Sequence, residues 1–247
     1  MSTSATELQQ LVKQPSNRGA IVPPRALHKS ATTLFTLNSP SSDQRARLEQ
    51  FIANKFNVAY GASIVEFFPL LLSRIDDSQL SSVVGLRPGT ERPLFLEQYL
   101  DCPLEEAISR QSGVQVERDR LMEIGNLASS YRSGNQLMFI LLTAVLARAG
   151  YTWVVFTATS QVRSLLTRLN FQPVTLCEAD ESRLVNKQQV WGSYYQSQPM
   201  VQAGSVSQGL AVLESNEFSS KLLQTFNEEI DCLAETLRIL RQQRRGQ

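Results

Sequence analysis

Eleven consecutive residues, "LMFILLTAVLA" from Leu137 to Ala147, narrow the folds open to this chain more than any other segment. The run is too short to span a bilayer, which takes about 20 apolar residues. Leu137, Ile140, Leu141, Ala144 and Val145 recur at helical spacing, so the run reads as a buried helix ended by Gly150. A helix this apolar must be covered by other elements. Strands are expected on both sides of it. "DRLMEIGNLASS" precedes it, with Gly125 as a weak point, and "YTWVVFTAT" (Tyr151–Thr159) follows with the density of a central buried strand.

The alternation continues. "SQVRSLLTRLN" places Val162, Leu165, Leu166 and Leu169 on one helical face, and "FQPVTLCEAD" reads as a strand. Strand, helix, strand, helix and strand thus fill roughly 121–180. That order predicts parallel pairing between the strands near 124 and 155, through a right-handed crossover.

Upstream, Ala31–Asn38 reads as a strand. The segment 39–62 reads as a helix capped by Ser42 or Asp43, with Leu48, Phe51, Ile52 and Phe56 near one face. Ser63–Asp76 and Leu80–Pro88 read as a hairpin about the polar turn "DDSQ", with Pro69 marking a bulge or an edge. Pro103 opens a short helix carrying Leu104, Ala107 and Ile108. Val190–Val206 is aromatic and turn-rich, and reads as one more strand.

From about Glu217 the pattern is one strong helix. Phe226, Ile230, Leu233, Leu237 and Leu240 step by four, three, four and three. Over so short a span the seam is expected to pack on its own domain; a homodimer contact through this C-terminal helix is the sharper alternative. The fold class expected is α/β, a mixed α+β sheet flanked by helices. A flexible N-terminal tail covers 1–30, the folded domain 31–205, and a C-terminal helical extension 206–247.

Several function classes are disfavoured. The formal net charge of +1 gives no field for nucleic acid. Cys102, Cys177 and Cys232 lack metal-ligand spacing, and the single histidine, His28, argues against histidine-based triads and zinc sites. No metal is expected. Cys102 is unconvincing as a nucleophile. No secretory signal or transmembrane segment is visible, so a cytoplasmic location is expected.

Four blocks resemble one known family. They are "PLFLEQYLDCPLEEAI" (Pro93–Ile108), "MEIGNLAS" (Met122–Ser129), "WVVFTATSQVRSLLTRLNFQPVTLCEAD" (Trp153–Asp180) and "WGSYYQSQP" (Trp191–Pro199). In this order, within roughly residues 55–205, they resemble the thermostable hemolysin family of bacteria. That family in turn resembles the acyl-CoA N-acyltransferase-like (Gcn5-related) fold, in the branch of acyl-homoserine lactone and N-acyl amino acid synthases.

The resemblance implies transfer of an acyl group from an acyl-CoA or acyl-carrier-protein thioester to a small-molecule amine, one that could derive from an amino acid. The family name implies a hemolysin, a membrane-lytic protein. A catalytically inactive binding module of the same fold is the third reading. In such a fold the thioester arm would pair with Leu127, Ala128 and Ser129 as an added strand does. Tyr131, Arg132, Gly134 and Asn135 would cradle phosphates at the start of the apolar helix. The family-wide glycine pattern is matched cleanly only at Gly134; Gln136 is bulky where a small residue is expected. A leaving-group acid expected on the next helix is absent, since the matching residue is Leu166; either the thiolate leaves without help or another group such as Tyr131 serves.

Acyl transfer to nitrogen needs a base. Glu123 and Glu97 are the candidates, because burial would raise a carboxyl toward a useful range. Structural pairing with Arg87 or Arg118 is the alternative, and the favoured one for Glu97 and Asp101. Trp191, Tyr194 and Tyr195 are candidates to wall a substrate pocket.

Overall fold

A computed structural model describes residues 34–91, 93–130, 134–185 and 189–245. The expected tail, and the expectations placed on Tyr131 and Arg132, lie outside them. One seven-stranded mixed sheet runs through the molecule in the order β1-β2-β3-β4-β5-β7-β6. The strands are β1 (Leu34–Asn38), β2 (Leu70–Asp76), β3 (Gln79–Pro88), β4 (Leu121–Ser129), β5 (Trp153–Ala158), β6 (Val174–Glu178) and β7 (Met200–Ser205). Seven α-helices flank it among the described residues: α1 (Arg45–Tyr60), α2 (Leu104–Ser112), α3 (Gly134–Arg148), α4 (Ser160–Arg168), α5 (Val206–Ser215), α6 (Glu217–Thr225) and α7 (Asn227–Arg245).

The apolar run is α3, as its periodicity requires. Its residues from Leu137 to Leu142 all lie in the core, with Phe139 at 7% the most exposed of them. Strands β4 and β5 are parallel neighbours, paired from Leu121↔Trp153 to Ile124↔Phe156. Strands β2 and β3 form the expected hairpin, turned by Asp77 and Ser78, which both hold positive φ. Two such residues in succession suit a two-residue turn that matches the strand twist.

Several boundaries differ from the sequence reading. Helix α1 starts at Arg45 with Gln44 as its N-cap, so Ser42 and Asp43 lie in the turn before it. The first hairpin strand begins only after Pro69, whose missing N–H cannot join a ladder. The C-terminal helix is interrupted. Asn216 caps α6 by accepting the Ser219 N–H, and Phe226 separates α6 from α7. Helix α5, capped by Ser205, precedes the helix that the pattern starts at Glu217. Phe226, Ile230, Leu233 and Leu237 are buried in the main core, and α7 packs on α3. The seam thus packs within the chain, as expected for so short a span.

Between two of its pairings with β3, strand β4 carries one extra residue. Gly85 pairs with Gly125 and Val83 with Ala128, so two steps on β3 match three on β4. The extra residue makes a β-bulge, and Asn126 sits there at φ 47°. A bulge reverses which face the later side chains meet. Before it, Met122 and Ile124 face the α3 core; after it, Leu127 does, and Ala128 turns to the α1 side.

A splayed-strand cleft and its aromatic wall

Beyond Ile124 and Phe156 the two central strands part. β4 stays with β3 through Ser129, while β5 stays with β7 through Ala158. A cavity of about 370 Å³ opens in the divergence. Gly125, Asn126 and Leu127 line it from β4, and Thr157 and Thr159 from the end of β5. Asn135 on α3 and Gln161 and Arg168 on α4 line it too. The Asn135 Oδ1 is buried without a hydrogen-bond partner.

The bulge fixes the opposite rim. Asn126 Oδ1 accepts the Phe68 N–H at 2.8 Å, and its amide donates to the Glu66 carbonyl at 3.4 Å. This ties the segment before β2 to the splay. Phe68 crosses over Gly125, where an added Cβ would stand 2.7 Å from its ring. Glycine is required by that close approach.

Aromatic rings form the third side. Phe56 and Tyr60 come from α1, and Trp191 and Tyr194 from the segment before β7. Tyr60 and Tyr194 meet edge to face at 5.2 Å, and Trp191 lies 5.3 Å from Tyr194. Phe95 continues the cluster at 6.1 Å from Trp191. Burial raises the Tyr60 phenol above its ordinary pKa, partly offset by a hydrogen bond with Thr159. Burial likewise raises Tyr194, which bonds with Thr157. Both phenols keep their protons at neutral pH.

Leu127, Asn135, Trp191 and Tyr194 are thus brought to one cavity. Gly134 opens α3 next to Asn135. Ala128 is buried toward α1, and Ser129 pairs with Ser82, its hydroxyl donating to the Ser81 carbonyl at 3.3 Å. Leu166 is buried in the core and lines a second cavity instead.

Glu123 is fully buried, one layer behind the cavity wall. Its carboxylate accepts the Leu96 N–H at 2.6 Å and the Phe95 N–H at 3.1 Å, and Arg87 Nε lies 3.9 Å away. It therefore holds the 3₁₀ turn Phe95–Tyr99, whose residues Phe95, Leu96 and Tyr99 do line the cavity. Glu97 points elsewhere. Arg118 grips it at 2.5 Å, and the Leu94 and Leu104 N–H groups donate to it. Burial pushes the Glu97 carboxyl up, but Arg118 and these N–H groups outweigh it and hold it below the usual range. Asp101 pairs with Arg183.

Burial pushes the Glu123 carboxyl from 4.5 up to about 7, against the pull of Arg87 and the two N–H donors. A carboxyl raised on folding keeps its proton in the folded chain after the unfolded chain has released it. Its stabilising contribution is full below about pH 4.5 and is lost as pH rises through about 7. The expected loss is about 3 kcal/mol across that window. Melting temperatures of wild type and Glu123→Leu measured at a series of pH values check this. The wild type should lose ground to the variant as pH rises, and parallel curves would contradict it.

Sequence reasoning missed Tyr60, Glu66, Asn126, Thr157, Thr159 and Gln189 as wall residues. One usable signal was the glycine–asparagine pair inside β4, since glycine within a strand pattern suggests a bulge.

The profile of the thermostable hemolysin family matches residues 38–210. Among solved structures, the N-acyl amino acid synthase FeeM from uncultured soil microbes is 9% identical with a TM-score of 0.50. The alignment covers 76% of this chain and 99% of that one. The CoA-dependent acyl-homoserine lactone synthase BjaI, with SAM and isopentyl-CoA, is 11% identical at a TM-score of 0.49, covering 77% and 98%. The acyl-homoserine lactone synthase LasI is 9% identical at 0.49, covering 72% and 91%. No curated protein matches the chain. The fold is of the acyl-CoA N-acyltransferase-like type.

Proposed function

The chain belongs to the thermostable hemolysin family, and from that premise we propose that it transfers an acyl group from a thioester to an amine within the splayed cleft. One observation carries the reading: two parallel central strands part over a cavity that also meets the first turn of α3. The edge of β4 at Gly125–Leu127 offers backbone groups to an amide-bearing arm. The start of α3, where Gly134 opens the helix and its first N–H groups have no partner within it, suits the phosphate of a coenzyme A or carrier-protein donor.

A second cavity of about 310 Å³ adjoins the first. Ile124, Phe139 and Phe156 line both, and Leu142, Leu146, Val154 and Leu166 make the second largely apolar. It suits the hydrocarbon part of an acyl chain. In the reaction the amine nitrogen forms a bond to the thioester carbonyl carbon, the C–S bond breaks, and the nitrogen loses a proton. The thiolate then takes a proton, and the Tyr60 or Tyr194 phenol stands ready in place of the leucine on α4. Glu123 is proposed as the base, acting through one water, in addition to holding the Phe95–Tyr99 turn.

The family name suggests lysis. Among the described residues no helix is long and apolar enough to cross a membrane. The geometry therefore favours the chemical reading over a helical pore.

Calorimetry with coenzyme A and with acyl carrier protein tests the donor end. Gly134→Val puts a branched side chain where a phosphate must approach the backbone. It is expected to weaken the preferred donor about tenfold or more. Unchanged binding of both donors, or no binding to the wild type, would reject the donor assignment.

A further inference from the structure

The rim opposite the donor end carries a chemical preference of its own. Glu66 lines the cavity where Asn126 ties its segment to the splay. Its partner is Arg87, 3.6 Å away, which also faces Glu123 at 3.9 Å. One guanidinium is therefore shared between two carboxyl groups. Gln189 also lines the cavity, 8% exposed, with its Oε1 buried and unpartnered. The rings of Phe56, Tyr60, Trp191 and Tyr194 line the same cavity and touch one another. Ring faces are negative and draw cations. Among the described lining residues the one cationic side chain is Arg168, exposed on α4.

We propose that the acceptor is a primary amine that enters as its ammonium ion, on an apolar or aromatic stem without a carboxylate. The juxtaposition of Glu66, the Gln189 Oε1 and four aromatic rings in one cavity selects it. A free amino acid is disfavoured: its carboxylate would meet Glu66, ring faces and a carbonyl oxygen, while Arg87 is already engaged by Glu66 and Glu123 and Arg168 stands exposed on α4. The role of this cradle as acceptor subsite rests on the acyl-transfer reading above, whereas ammonium binding does not need turnover. The ammonium releases one proton to solvent before its nitrogen attacks. The N–C bond forms as the C–S bond breaks, the nitrogen's second proton passes to the base, and the departing thiolate takes up one proton to leave as the thiol.

The test uses three probes sharing one ring: phenethylamine, phenethyl alcohol and phenylalanine. Binding is followed by emission of the protein's two tryptophans, of which Trp191 lines the cavity. Phenethylamine is expected to bind about tenfold more tightly than either other probe. Glu66→Gln should reduce the amine's advantage over the alcohol to about threefold or less, leaving the alcohol's own affinity nearly unchanged. The wild-type probe series decides the matter even if the variant folds poorly. Equal binding of amine and alcohol, or tighter binding of phenylalanine, would overturn the proposal. Parallel titration with coenzyme A and acyl carrier protein separates the two failures. Amine selectivity without binding of either donor defeats the acyl-transfer reading alone, and donor binding without amine selectivity defeats the ammonium cradle alone.

Discussion

Gly192→Ala is expected to destabilise the protein by roughly 2–4 kcal/mol, lowering the melting temperature by roughly 5–15 °C. Gly192 holds φ +57°, and a Cβ there would lie 2.0 Å from the Tyr60 carbonyl oxygen and 2.9 Å from the Gly61 carbonyl carbon. Both obstacles are backbone, so no side chain can swing aside. The same carbonyl accepts the Ser193 N–H at 2.8 Å, and the Ser63–Val190 bridge lies close by in the sequence. These contacts join the end of α1 to the segment bearing Trp191 and Tyr194. Their loss should separate the rings of Tyr60 and Tyr194 and shift Trp191 emission to the red. Gly61→Ala is the control. Gly61 holds φ +67°, with nothing within 4 Å of its added Cβ. Its cost should be about 1–2 kcal/mol, that of the left-handed conformation alone. Equal melting temperatures for the two variants would show that the close approach to Tyr60 does not hold the wall.

Glu123→Gln is expected to lower turnover by about a hundredfold or more, with donor binding retained. Gln keeps the shape and removes the basicity. It also turns one terminal atom into a donor, which must face the Phe95 or Leu96 N–H now bound by the carboxylate. A buried donor left without an acceptor costs about 1–3 kcal/mol. Two roles therefore leave different traces. A base loses turnover at unchanged KM for the donor, and the acidic limb of the pH–rate profile disappears with it. A purely holding role loosens the Phe95–Tyr99 turn and raises KM for the acceptor, while the pH profile keeps its limb. Full activity of Glu123→Gln at neutral pH would remove Glu123 from the chemistry.

The layered core was legible because it depends on local period. The α3 run and the dense β5 segment each declare their burial, and a helix between two strands leaves one handed solution. The cleft itself was less legible. It exists because β7 rather than β6 pairs with β5, and because β4 stays with β3 beyond Ile124. Pairing choices of that kind leave no mark on hydrophobic period. The bulge at Asn126 showed only as a glycine in the wrong place.

The wall was legible in part. Trp191 and Tyr194 announced themselves as aromatics in a turn-rich segment. Tyr60 and Glu66 did not, since they join Gln189 and Trp191 only through contacts spanning more than a hundred residues of chain. Glu123 was legible as a buried carboxylate beside a glycine. Its engagement by the Phe95 and Leu96 N–H groups was not, because a turn nearly thirty residues upstream supplies both donors. The unbroken seam from Phe226 to Leu240 was real, yet it concealed the break between α6 and α7 and said nothing of which surface covers it.

The most direct test is mass spectrometry of reactions containing the purified protein, an amine such as phenethylamine, and acyl-CoA or acyl carrier protein thioesters of graded chain length. Transfer in the splayed cleft predicts an N-acyl amine and one equivalent of free thiol, with yield reduced by Gly134→Val and by Glu123→Gln. Intact thioester and unmodified amine for every donor, with a folded protein and no donor binding, would contradict it.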